Sequence, residues 1–369
     1  MEYLFWISAA VIGYVYVGYP LLVAGLARIA GRAPRKAPFP DGAWPAISIV
    51  VAARNEASRL PDRVANLLGA DYPGRREIIV VSDGSTDGTA EILQPLRGYL
   101  TLIEVPRGGK ARALNAGVAA ATGDIVVFAD ARQRFALDAL RELVANFADP
   151  SVGGATGELV LDCETGDASS SVGDGVGLYW KYEKWQRRNE SLLRSTLGAT
   201  GAIYALRRSL WRDLPAETLL DDVLAPMRAV LAGYRVVFDD RAVAFDSVSP
   251  DASAEARRKT RTLAGNYQIL AQEPRLLVPF LNPVWLQYAS HKVGRLIVPW
   301  ALMLFLIASA ALADDGWFYA AALAAQIGFY GLAGLGALIE ARSRATAAAE
   351  RPAPEFRPQE LRLTGKEAR

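Results

Sequence analysis

The sequence predicts an α/β fold, a mostly parallel sheet covered by helices, joined to three membrane-spanning helices. Three observations predict it. Apolar, β-branched runs alternate with helix-like segments between residues 47 and 147. Tyr3–Ala27, Leu296–Ala313 and Gly316–Ile339 carry no charged residue, and each matches the roughly 17–25 residues a helix needs to cross a bilayer. The balance of 51% hydrophobic against 22% charged residues is apolar for a chain of 369 residues.

The first apolar stretch reads as a retained helix rather than a cleaved leader. Glu2 precedes it instead of a basic cluster, and Arg28, Arg32, Arg35 and Lys36 follow it. His291, Lys292 and Arg295 precede the second stretch, Asp314 and Asp315 separate it from the third, and Arg342 and Arg344 come after. By the positive-inside rule the N-terminus is expected outside, with residues 28–295 and the tail in the cytoplasm. The expected location is the inner (cytoplasmic) membrane, multi-pass.

A Pro-rich linker, "RAPRKAPFPDGAWPA", leads into the alternating region. "ISIVVAA" predicts a strand followed by a helix at 59–68, and "EIIVVSD" a strand followed by a helix at 86–96. "LTLIEV" is followed by a helix at 110–121, and "DIVVFAD" by one at 136–147. Beyond Asp149 come a strand, "VGGATGELVL", a polar loop at 162–177 long enough to suspect mobility, and a helix at 178–193. A basic helix is expected at 254–271, and Leu276–Arg295, broken by Pro279 and Pro283, reads as an interfacial segment. The resulting division is 1–28 membrane helix, 29–45 linker, 46–275 α/β domain, 276–295 interfacial segment, 296–340 membrane hairpin and 341–369 disordered tail.

Composition excludes several chemistries. A net charge of +2 gives no case for nucleic acid. One cysteine (Cys163) and one histidine (His291) leave no internal disulfide, zinc cluster, Ser-His triad or Cys-His dyad. The chemistry must run on carboxylates, basic side chains and backbone amides. Acids stand in four loops at strand ends or turns: Asn55-Glu56, Asp83, Asp130 and Asp221-Asp222. Any one could cap a helix, as Asp87 is expected to do, but four on one sheet edge point to a ligand.

The ordered set "VVAARNEASRL", "VVSDGSTDGT", "GGKARALNAG", "GDIVVFAD", "GATGAIYALRR" and "LLDDVLAPMRAVLAGYRVVFDD" resembles the family-2 inverting glycosyltransferases. Within them the membrane-anchored branch of cellulose, hyaluronan and poly-N-acetylglucosamine synthases is the most similar. The resemblance covers residues 47–268 and implies the GT-A fold, a Rossmann-like, mostly parallel sheet in the cytoplasm. It implies that Ala53, Asn55, Glu56 and Asp83 bind the nucleoside, with Asp83 on the base, and that Lys110 lies near the diphosphate. Asp130 would hold ribose and Mg2+ or Mn2+, and Asp222 would act as general base on the acceptor hydroxyl. Asp221 and Arg132 would stand near acceptor or diphosphate.

Two departures matter. The metal-binding Asp-x-Asp motif reads Asp130-Ala131-Arg132, which leaves weaker metal binding, another recruited acid, or Arg132 as substitute cation. The Gln-x-x-Arg-Trp motif of processive synthases reads Arg258-Lys259-Thr260-Arg261-Thr262. Arg261 matches the diphosphate-contacting arginine, while Thr262 replaces the tryptophan that stacks on sugar, so one or a few additions are expected. This basic stretch equally suits a solvated helix beside anionic lipid. Tyr179, Trp180 and Trp185 suit either a sugar surface or core packing.

The expected function is transfer of a sugar, with inversion, from a UDP-type donor to a glycan or lipid-linked acceptor. The alternatives are a polyprenyl-phosphate glycosyltransferase or an inactive nucleotide-binding subunit of a polysaccharide assembly. Expected partners are the nucleotide sugar, the acceptor, membrane lipid and an oligomer or export partner.

Overall fold

Ala52 at the end of one parallel strand is in register with Asp130 on its neighbour, and Ala53 with Ser82 on the other side. That alignment brings the carboxyl ends of three strands to one edge. The computed structural model describes residues 1–36, 39–40, 42–162, 171–247 and 252–349.

The strands are β1 (Ile47–Ala53), β2 (Arg76–Asp83), β3 (Thr101–Val105), β4 (Ile125–Asp130), β5 (Arg134–Phe135), β6 (Val152–Asp162), β7 (Ile203–Arg207) and β8 (Arg235–Ser247). The helices begin with α1 (Glu2–Gly13) and α2 (Tyr19–Ala30), joined by a wider-wound stretch at Tyr14–Gly18. Then come α3 (Leu60–Gly69), α4 (Thr89–Leu93), α5 (Lys110–Ala120), α6 (Ala139–Ala145), α7 (Ser171–Leu193), α8 (Asp221–Leu231) and α9 (Ala252–Gln272). α10 (Trp285–Tyr288), α11 (Gly294–Ala311) and α12 (Trp317–Ala349) complete the chain.

Eight strands form one sheet in the order β3-β2-β1-β4-β7-β6-β8-β5. β3, β2, β1 and β4 are parallel, β7 is antiparallel to both β4 and β6, and β6 pairs parallel with β8. The chain winds outward from β1 through β2 to β3, then returns to place β4 on the other side of β1. The reversal opens a crevice between the ends of β1 and β4, the place where such sheets bind ligands.

Strand alternation explains the two cores. Ile47, Ile49 and Val51 face Leu60, Val64 and Leu67 of α3, while Val50 on the opposite face packs with Ala111, Leu114 and Val118 of α5. All are at most 6% exposed, so each large aliphatic side chain contributes about 1.5–3 kcal/mol of burial.

Several elements differ from the sequence expectations. The helix expected at 86–96 is α4 alone plus a tight turn at Gln94–Leu96, because Gly88 adopts φ +83° just before it and Pro95 interrupts its end. α7 begins at Ser171, inside the stretch read as loop, whereas residues 163–170, with Cys163, lie outside the described residues. Within 276–295, a short turn at Pro274–Leu277 precedes a helical segment that starts at Trp285 and runs to Ala311. Pro279 and Pro283 fall before that start, and Pro299 is accommodated within it. α12 continues to Ala349, and 350–369 lie outside the described residues.

Three helical segments among the described residues are long and apolar enough to cross a membrane: Glu2–Ala30, Trp285–Ala311 and Trp317–Gly336. Two structural units are distinguished, Val11–Pro299 and the combination of Met1–Ala10 with residues from Trp300 onward. In the larger unit Glu190 of α7, 1% exposed, accepts hydrogen bonds from Tyr19 of α2 at 2.6 Å and pairs with His291 Nδ1 at 2.7 Å. In the smaller unit Phe5 packs against Phe305 and Tyr319 at ring distances of 4.7 and 4.9 Å.

Candidate active site

The loops after β1 and β2 are stitched into one cradle. Asn55, at φ +55°, accepts a hydrogen bond from the Thr86 amide, and its own amide donates to Ser85 Oγ. The Glu56 amide donates to Thr89 Oγ1, and the Ala57 amide to Asp87 Oδ2 at 3.0 Å. Asp87 also accepts from the Thr89 amide, so it caps the following turn and binds the neighbouring loop at once. Glu56 pairs with Arg59 at 2.7 Å. Ala53 is 3% exposed with its methyl in the core, so only its backbone can face a ligand.

Asp83, 5% exposed, is turned toward the next loop. Its carboxylate accepts from the amides of Gly108 at 2.6 Å and Gly109 at 2.9 Å. Gly109 has φ +88°, a conformation that favours glycine, and it delivers Lys110 at the first position of α5. Asp83 therefore fixes the turn that carries the lysine.

Lys110 Nζ lies 3.0 Å from Asp130 Oδ1 and 3.4 Å from Asp221 Oδ2. Burial alone would lower its pKa, but the charges of Asp221, Asp130 and Asp222 outweigh that and hold the ammonium well above the ordinary lysine range. Three acids and one cation thus meet at the ends of β4, α5 and α8.

Asp221 and Asp222 open α8, where the helix N-terminus favours negative charge. Asp221 accepts a long hydrogen bond from the buried Tyr204 hydroxyl at 3.4 Å. Burial, reinforced by the charge of Asp221 and opposed by Lys110, pushes the Asp222 carboxyl up to about 6. That is a suitable range for a base working near neutral pH. The backbone of the loop before β7 fits around it: the Ala199 amide donates to the Asp222 carbonyl at 2.6 Å. A side chain at Gly201 would put its Cβ 3.1 Å from Asp222 Oδ2.

α9 lies over the loop preceding the acid pair. Arg261 Nη2 donates to the Leu219 carbonyl at 2.9 Å, and Gln268 holds the Leu219 amide and the Glu217 carbonyl. Thr262 donates its hydroxyl to the Arg258 carbonyl and lines a cavity beside α8. Arg132 is paired with the buried Asp246 rather than turned to Lys110 and Asp130. Tyr204 and Gly201 carry no signal of their own in the sequence, one being a tyrosine in a strand and the other a glycine in a loop. Lys292 was legible only as a flank of a membrane helix.

Residues 48–214 match the family model for glycosyl transferase family 2. The chain carries a family-2 glycosyltransferase domain. It is 26% identical over 235 residues to poly-β-1,6-N-acetyl-D-glucosamine synthase of Staphylococcus aureus, covering 62% of this chain and 56% of that protein. The chain therefore spans about half the length of that relative. It is 40% identical over 117 residues to β-monoglucosyldiacylglycerol synthase of Synechocystis, covering 30% of this chain and 24% of that enzyme. A solved mannosyltransferase from Pyrobaculum calidifontis, in complex with GDP-Man and Mn2+, superposes with a TM-score of 0.68 at 27% identity. It covers 89% of this chain and 92% of its own. The fold is accordingly the mixed α/β sheet of GT-A glycosyltransferases.

Among the described residues no group of three or more His, Cys, Asp or Glu could hold an ion. Divalent cations bound with phosphates need only one or two carboxylates. Asp130, 36% exposed with Oδ2 unused by Lys110, fits as the single protein ligand to an ion that arrives on a diphosphate.

Proposed function

We propose that this chain is a membrane-anchored glycosyltransferase that moves a sugar from a nucleoside-diphosphate donor to the hydroxyl of a glycan or lipid-linked acceptor, with inversion. The convergence of Lys110, Asp130, Asp221 and Asp222 at one sheet edge carries this reading. The cradle of Asn55, Glu56 and the Ser85–Asp87 turn receives the nucleoside, with Asp83 fixing the turn that brings Lys110 to the diphosphate. Asp130 would hold Mg2+ or Mn2+, and the ion would supply charge neutralisation to the diphosphate.

Asp222 takes the proton from the acceptor hydroxyl. The freed oxygen bonds to the anomeric carbon as the bond from that carbon to the diphosphate breaks, and the electron pair leaves on the diphosphate. Lys110 stabilises the charge that builds there. UDP is the expected nucleotide from the motif resemblance, and the GDP-Man of the Pyrobaculum relative makes guanosine the second candidate. The three membrane-length helices support an enzyme held at the inner membrane with its sheet in the cytoplasm.

Incubating purified protein in native membranes with radiolabelled UDP- and GDP-sugars tests the activity. Transfer that requires Mg2+ or Mn2+ and stops in excess chelator is expected; activity indifferent to chelator removes the metal from Asp130. Single cysteines in a Cys163→Ala background test orientation. A cysteine at Asp315 should react with an impermeant thiol reagent in intact cells, and one at Gly42 should not.

A further inference from the structure

A cavity of ≈ 520 Å³ opens beside the base, walled by Gly198, Ala199 and Val223 on one side and by α7, α9 and the start of α11 on the others. Among the described residues that line it, cations outnumber acids, with Arg187, Lys259, Lys292 and Arg295 against Glu183 and Glu190. Both acids are already engaged: Glu183 pairs with Arg295 at 2.6 Å, and Glu190 with His291 and Tyr19. Arg187 is bonded to the neutral Thr200 hydroxyl at 2.7 Å. Lys292, half-buried, has no hydrogen bond or ion pair to a described residue, yet its charge reaches Asp222.

A lysine within the first turns of a membrane-length helix, with no ion pair to a described residue, is costly to hold there, and such groups mark ligand sites. Tyr179, Trp180, Leu263 and Leu296 give the same cavity apolar wall. Cationic and apolar surfaces beside a general base suit one ligand class.

We propose that the cavity is the acceptor site and that it takes a phosphate-bearing lipid-linked sugar. The sugar hydroxyl meets Asp222, the phosphate is held by Lys292 with Arg187, and the hydrocarbon chain leaves along the apolar wall. The phosphate is recognised by charge and the reacting oxygen remains a hydroxyl, so the proton still passes to Asp222 as the glycosidic bond forms. This rests on the donor reading above and adds to it the chemical class of the acceptor.

Equilibrium binding of radiolabelled farnesyl phosphate to the full-length protein in detergent tests it, with UDP and GDP binding measured in parallel. Saturable binding is expected, at least about tenfold tighter than farnesol or inorganic phosphate, since a charge-assisted contact and an apolar contact are both required. Lys292→Gln should weaken it about tenfold, Lys292→Arg should restore it to within about threefold, and nucleotide affinity should not move. Asn266→Asp, which adds a carboxylate to the cavity wall, should also weaken it, and this variant decides the matter if Lys292→Gln fails to fold.

Farnesyl phosphate binding that ignores both variants overturns the proposal. So does equal displacement by phosphatidylglycerol, which would make the cavity a seat for any anionic lipid. Lys292-dependent binding without affinity for either nucleotide would leave the cavity assignment standing and remove the donor reading instead.

Discussion

The ammonium of Lys110 lies 3.0 Å from the carboxylate of Asp130, across the gap between the first turn of α5 and the end of β4. In the free protein this lysine neutralises the acids around it; with a nucleoside diphosphate present, the same charge has a stronger anion to meet. Lys110→Ala should therefore weaken UDP or GDP binding by about tenfold or more and leave the free nucleoside unaffected, because only the diphosphate meets the ammonium. Calorimetry with nucleotide and nucleoside in parallel checks it. An equal loss for both ligands would place Lys110 in the cradle's structure instead.

Asp222→Asn should lower turnover by about a hundred- to ten-thousand-fold while donor affinity stays within a few-fold, as expected for a base acting on the acceptor. The pH profile follows from the same carboxyl. Its pKa is raised to about 6, and only the ionised form accepts a proton, so the rate should fall as pH drops through about 6. The sign for stability is opposite: the folded state favours the protonated form, so this group's contribution declines as pH rises from its ordinary value of 3.8 toward 6. A flat kcat profile between pH 5 and 8, readable by initial rates, would remove Asp222 as the titrating base.

Gly201→Ala should act through Asp222 alone. The new methyl would sit 3.1 Å from Oδ2, so the carboxylate must shift by a few tenths of an ångström. Positioning errors of that kind reduce kcat, with about tenfold expected, and leave the donor KM unchanged. Steady-state kinetics distinguishes this from a folding defect, which would lower active enzyme without altering the pH profile.

Tyr19→Phe removes the hydroxyl that donates to buried Glu190 at 2.6 Å. The carboxylate keeps its contacts with His291 and Gln186 but loses one donor, at a cost of about 1–3 kcal/mol. A lowered unfolding temperature with nucleotide affinity retained is the expected result. No change in thermal midpoint would mean that another donor substitutes at Glu190.

The strand positions were legible because β-branched, unbroken apolar runs such as Ile47–Ala53 and Ile125–Asp130 suit strands covered on both faces. The candidate site loops stand out because four acid-bearing turns fall on one sheet edge in a chain with one histidine and one cysteine, although any one acid alone could cap a helix. Asp222, Lys110 and Asp130 could be named from the order of their motifs. Helix ends were less legible: α4 is short because Gly88 and Pro95 bound it, and α7 begins well inside a Gly- and Ser-rich stretch.

The local pattern of the sequence determined the elements, the candidate acids and the three apolar helices, since periodicity and charge-free length act over neighbouring residues. Tertiary structure alone decided what those residues touch. Asp83 meets the amides of Gly108 and Gly109, Arg132 turns to Asp246, and Arg261 reaches the Leu219 carbonyl. Lys292 joins a cavity with Arg187 and Val223, residues far from it along the chain. Partners separated by tens of residues are chosen by strand order and helix packing, and no local propensity records that choice.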